Sequence, residues 1–155
     1  MTVPTITRIA AVMDALADLT RTALTPLGVE VLDGPVLGEL PWRHLMIGIT
    51  DSPDTPPYTT RYTRQDGLGR PRYVEDFEIR CGLSIADGSN DLTGVRDDAV
   101  AALEALDTAL GAQHTNPGVW QEIGLGEAPM SWYPVPHAAG STVAVFFSIE
   151  GSSVL

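Results

Sequence analysis

The side chains able to do chemistry are few and widely spaced in this sequence. Its three histidines, His44, His114 and His137, form no helical i, i+4 pair, and none neighbours a cysteine at ligand spacing. Zinc and other metal sites of the common spacings are therefore not expected. Cys81 is the single cysteine and sits in an alternating stretch, where a small buried hydrophobe is expected rather than a reactive thiol. A GxSxG nucleophile elbow is missing. The glycine fragments Gly67-Leu68-Gly69 and Gly124-Leu125-Gly126 complete no GxGxxG pattern, and the chain has no lysine for a phosphate loop. The carboxylate pairs Glu75-Asp76 and Asp97-Asp98 read as solvated faces of a strand and a helix. On this inventory the expectation is a protein with no catalytic residue, no metal and no cofactor.

One constellation points elsewhere. Tyr58, Arg61, Tyr62 and Arg64 interleave aromatics with positive charge, the pattern of single-strand nucleic-acid binders. The whole chain argues against that use, since its formal net charge is −11 and such a surface repels phosphate. All nine basic residues are arginines, and four of them, Arg61, Arg64, Arg70 and Arg72, fall in residues 51–72. That stretch carries +1 against −12 for the remainder. An arm reaching to an acidic neighbouring protein subunit explains it better, because arginine and tyrosine suit protein interfaces. Trp132 and Tyr133, among Pro129, Met130, Pro134 and Pro136, fit a packed loop or an interface equally well. His137 ends that extended segment, where a surface contact is expected rather than catalysis. The candidate contact residues are thus Arg61, Tyr62, Arg64, Arg70, Arg72, Trp132 and Tyr133.

The elements that must position these residues follow from periodicity. At 155 residues the chain fits one domain, residues 1–155, with a sizeable core. Residues 5–23 read as an amphipathic helix with Ile6, Ile9, Met13, Leu16 and Ala17 on its apolar stripe. Short strands are expected at residues 29–32 and 44–50. Residues 51–72, rich in proline and glycine and poor in aliphatics, read as a long loop outside the core. Residues 73–87 give the clearest strand: Phe77, Ile79, Cys81, Leu83 and Ile85 alternate with polar neighbours. A second helix is expected over residues 92–111, capped by Asp91 or Thr93, with Val95, Ala99, Leu103, Leu106 and Leu110 on one stripe. Strands at residues 119–125 and 142–149 complete the order α-β-β-β-α-β-β. The class is α+β, a largely antiparallel, mixed sheet covered by two helices. The first twenty residues carry Arg8, Asp14 and Asp18 within their apolar pattern, so neither a secretory leader nor a membrane span is expected. Residence in the cytoplasm, or in a particle assembled there, is.

Three stretches resemble the tail terminator, or tail completion, proteins of long-tailed bacteriophages, in the form found in actinobacteriophages. They are residues 6–16 (ITRIAAVMDAL), residues 29–35 (VEVLDGP) followed by 45–51 (LMIGITD), and the closing residues 140–150 (GSTVAVFFSIE). With the element order, the resemblance spans most of the chain, and residues 51–72 are its least family-like part. It implies a virion protein of the tail or neck, assembled in the host cytoplasm. Such a subunit forms a ring, hexameric in the family, that caps the head-proximal end of the tail tube. The ring stops tube polymerisation and offers a surface to the head completion protein. It also implies no enzymatic activity, and DNA that passes through the channel without specific binding. Partners are then the chain itself, the tail tube protein and the head or neck protein. Two alternatives stand beside it: another neck or tail-tube component, and a small-molecule-binding or hydrolase domain. Replacing the four loop arginines by serine is expected to weaken assembly and leave the monomer's stability nearly unchanged.

Overall fold

The computed structural model describes residues 6–66, 69, 72–137 and 139–155. Two long strands organise it. β4 (Arg72–Asp87) and β7 (Gly140–Val154) pair antiparallel in unbroken register from Val74↔Val154 to Asp87↔Ser141. The shorter strands are β1 (Glu30–Asp33), β2 (Arg43–Ile47), β3 (Tyr58–Gln65), β5 (Glu122–Leu125) and β6 (Ser131–His137). β2 and β3 lie end to end along one edge of β4, while β5 and β6 do the same along β7. The sheet therefore has two halves, β1-β2-β4-β7-β6 and β3-β4-β7-β5. Only β1 against β2 is parallel among the described pairs, which makes the sheet mixed.

The alternation read from the sequence is the reason for the core. Phe77, Ile79, Cys81, Leu83 and Ile85 of β4 stand beside Val143, Val145, Phe147 and Ile149 of β7, all buried. Leu45 and Ile47 extend this face onto β2. Helices α1 (Ile9–Leu24) and α2 (Leu92–Ala112) cover it. α2 buries Val95, Ala99, Leu103, Leu106 and Leu110 as its spacing requires, and Asp91 caps it by accepting from the Gly94 N–H at 2.9 Å. Fully burying an aliphatic side chain of this size contributes roughly 1.5–3 kcal/mol, so this face holds most of the stabilising area.

The two-helix, mixed-sheet class is as the sequence implies, and α1, β1, β2, β4, α2, β5 and β7 reproduce the order α-β-β-β-α-β-β. Three details differ. Residues 51–72 are not one loop, since residues 58–65 form β3, a strand with all eight residues exposed. It was hidden because neither of its faces is apolar. The proline-containing segment at Ser131–His137 is likewise a strand, β6, at the margin of the sheet. Pro134 and Pro136 are tolerated there because, among the described residues, no further strand needs their N–H groups. The first helix starts at Ile9, later than the expected residue 5, which lies outside the described residues. Ile6 is consequently off the helix and 78% exposed, and Val12 and Thr20 join Leu16 and Ala17 in the buried stripe.

Candidate functional site

The N-terminal correction has a physical cause. The Arg8 N–H, which opens the chain into α1, donates to Glu75 Oε1 at 2.9 Å. The Arg8 guanidinium donates to two carbonyls, Val154 O through Nε at 3.0 Å and Gly118 O through Nη1 at 2.7 Å. Thr7 Oγ1 accepts from the Ile9 N–H at 3.1 Å and so serves the helix start. Glu75 is wholly buried, contrary to the expectation of a solvated carboxylate pair, whereas Asp76 beside it is exposed. The contact joins residues far apart in sequence, which no local pattern shows.

Beyond this anchor β3 forms an exposed arm along the first half of β4, whose other edge is paired with β7, and the described candidate arginines lie on β3 or at the start of β4. Arg61 stands opposite Asp76, on the sheet face away from the helices. Tyr62 faces the other way, opposite Glu75, and its hydroxyl donates to Ile6 O at 2.7 Å. Arg64 donates through Nε to Asp66 Oδ1 at 2.8 Å, with both side chains well exposed. Arg72 opens β4, exposed, opposite Gln65. Arg70 lies outside the described residues. Trp132 and Tyr133 are not part of this cluster: they sit on β6, along the other long strand and in the other half of the sheet. The Tyr133 hydroxyl donates to Asp51 Oδ2 at 3.0 Å, and its ring meets Phe146 edge-on at 5.8 Å between centroids. The Asp51 carboxylate at that distance holds the phenol above its ordinary pKa. The candidates thus form two patches, a cationic arm and an aromatic margin.

The face of the β3-β4-β7-β5 half turned away from the helices is concave. It encloses a cleft of about 690 Å³ whose lining includes Asp76, Glu78, Glu122, Glu127 and Glu150, with Arg61 from β3 at one side. Glu122 is held over this face by Ser152, whose Oγ donates to Glu122 Oε1 at 3.2 Å. Glu78 pairs with Arg80 at 3.0 Å. Among the described residues that line the cleft there is no histidine, cysteine or serine to act as nucleophile or base. The arrangement makes a negative surface with an open mouth. It is suited to repelling polyanions and to receiving cationic side chains.

The remaining reactive types are apart from it. Cys81 is buried on the helix-covered face, and desolvation pushes its thiol up to about 12. At neutral pH it is a protonated core residue. His44 Nδ1 lies 2.7 Å from Pro41 O, His114 is exposed after α2, and His137 is the last residue of β6. No three His, Cys, Asp or Glu side chains among the described residues group as a metal site would require. No helix among them is long and apolar enough to cross a membrane.

The sequence reading passed over one exposed apolar feature. The β1–β2 connection carries Val36, Leu37, Leu40 and Trp42 outward, Leu37 at 99% and Trp42 at 57% exposure. Its signal was available: two apolar pairs in a glycine- and proline-containing stretch with no strand or helix period to bury them.

No protein-family model and no curated protein matches the sequence. Among solved structures the chain is similar to one in the virion of a native gene transfer agent particle. That match has a TM-score of 0.60 and 13% identity, and it covers 97% of this chain and 100% of the other. What the two chains share is the fold.

Proposed function

We propose that the chain is a structural subunit of a phage-like virion, acting as the ring that terminates the tail tube. The observation that carries this reading is the arm. Eight consecutive residues of β3 form a strand with both faces exposed, bearing Arg61 and Arg64, on a chain of net charge −11. An ordered strand that buries none of its residues gains little from its own fold, and a partner is what gives it use. Full-length likeness to a chain of a gene transfer agent virion supports the particle setting, and the resemblance at residues 6–16, 29–35, 45–51 and 140–150 supports the terminator role.

In this reading the ring is homo-oligomeric, hexameric by the resemblance, and touches the tail tube protein below and a head or neck protein above. It acts without catalysis. A cleft lined by carboxylates is a poor seat for phosphate, so DNA passes without specific binding. The exposed Leu37–Trp42 connection and the Trp132–Tyr133 margin are further contact surfaces for neighbours. The test is direct. The purified chain, alone and with tail tube protein, is weighed by light scattering and imaged by electron microscopy. Closed rings seated on tube ends, with tubes that stop lengthening, are the expected result. A chain that stays monomeric and leaves tube growth unchanged overturns the reading. Rings that join neck proteins but never seat on tubes favour the alternative of another neck component.

A further inference from the structure

The sheet ends in four margins, and they are unlike. β1 and β5 are four residues each. β6 carries Pro134 and Pro136, which lack the N–H that a new strand would need. β3 has eight residues and no proline, and among the described residues no strand pairs its outer side. Alternation of the antiparallel ladder turns every second N–H and C=O of β3 away from β4. Natural sheets normally blunt a margin of that length. This one is left open.

The half-sheet β3-β4-β7-β5 that it bounds has a second open margin, β5, and the two differ in charge. On the face away from the helices β3 presents Arg61 and β5 presents Glu122, with Glu127 just beyond it. Among the described residues Arg61 makes no ion pair, and Glu122 is bonded to Ser152 alone. The strand directions also agree. β3 is antiparallel to β4, β4 to β7 and β7 to β5, so β3 and β5 run oppositely within one chain. A rotation about a ring axis preserves the sense of each strand along that axis. The β5 of the next copy therefore arrives antiparallel to β3, as the rest of this half-sheet is paired.

We infer that copies of this chain join margin to margin, β3 of one pairing with β5 of the next. Arg61 is then placed beside the neighbour's Glu122. The inference rests on the ring reading above and deepens it by assigning the joint and the face turned to the axis. The contact is heterologous and closes, as a ring demands. It joins the four-strand half-sheets into one barrel wall, which removes the open margins. The concave face with Asp76, Glu78 and Glu150 lines the channel, and α1 and α2 lie outside.

Charge exchange tests it on the full chain. Assembly of wild type, Arg61→Glu, Glu122→Arg and the Arg61→Glu/Glu122→Arg double variant is followed by light scattering. Each monomer's fold is checked by circular dichroism. Each single reversal is expected to cut the assembled fraction about tenfold or more, and the double variant to recover most of it, because the exchanged charges meet again across the joint. A second measurement needs no variant: backbone amides of Tyr58–Gln65 and Glu122–Leu125 should exchange hydrogen more slowly in the ring than in the monomer. Rings indifferent to the reversals, singles that lose assembly without recovery in the double, or amides unprotected on assembly overturn the joint and leave the ring reading standing. A wild-type chain that forms no ring even with tail tube protein overturns both.

Discussion

β2 and β3 lean on the same edge of the same strand, yet one is core and the other is arm. β2 brings Leu45, Met46 and Ile47 to β4, and all three are buried. β3 brings Tyr58, Thr60, Tyr62 and Arg64 on one face, Thr59, Arg61, Thr63 and Gln65 on the other, and buries none. The ladder of backbone hydrogen bonds is common to both, so what differs is the side chains. A buried aliphatic contributes roughly 1.5–3 kcal/mol, while an exposed cross-strand pair contributes roughly 0.2–1 kcal/mol. Along this edge β2 is held by the helix-covered core, and β3 by its ladder beside the Arg8–Glu75 anchor.

The largest test of that contrast is in the core under the helices. Leu83 is 2% exposed and lies between Leu45 and Val145 in the register. Leu83→Ala should cost about 2–5 kcal/mol in urea unfolding. Tyr62→Ala in the arm should cost well under half of that, and equal losses would break the contrast. An intermediate effect is expected at Gly151, which lies between Phe77 and Ile123 in the half that carries the arm. A Cβ there would collide with Glu122 O and with the Phe77 ring that stands opposite. Gly151→Ala should cost about 1–3 kcal/mol by the same assay. The smallest effect belongs to the arm's charges. Arg61, Arg64 and Arg72 changed together to serine should move monomer stability by no more than about 0.5 kcal/mol, while ring assembly by light scattering is lost. A monomer destabilised as much as Leu83→Ala would show that the arm is core after all.

The sequence made the helix-covered face legible because burial writes a period into it. The alternation from Phe77 to Ile85 and the stripe from Val95 to Leu110 name the two faces that meet. The arm left no such mark. Thr59, Thr60, Tyr62 and Thr63 favour strands, but a strand wet on both sides lacks apolar alternation, and its flanking prolines and glycines read as loop. β6 was masked by Pro134 and Pro136 in the same way. The cationic cluster was visible as composition, although its placement beside a concave acidic face depends on pairings that span the whole chain. Glu75 was misjudged because its partner, the Arg8 N–H, is 67 residues away.

β4 and β7 run through both halves of the sheet without a break, through fourteen consecutive residue pairs. A pull passed from β3 towards β5 therefore crosses the β4–β7 ladder, where many hydrogen bonds share the load at once. The two long strands act as a tie between the sheet's margins. Subunits linked through such margins would carry tension around a ring while each body kept its shape.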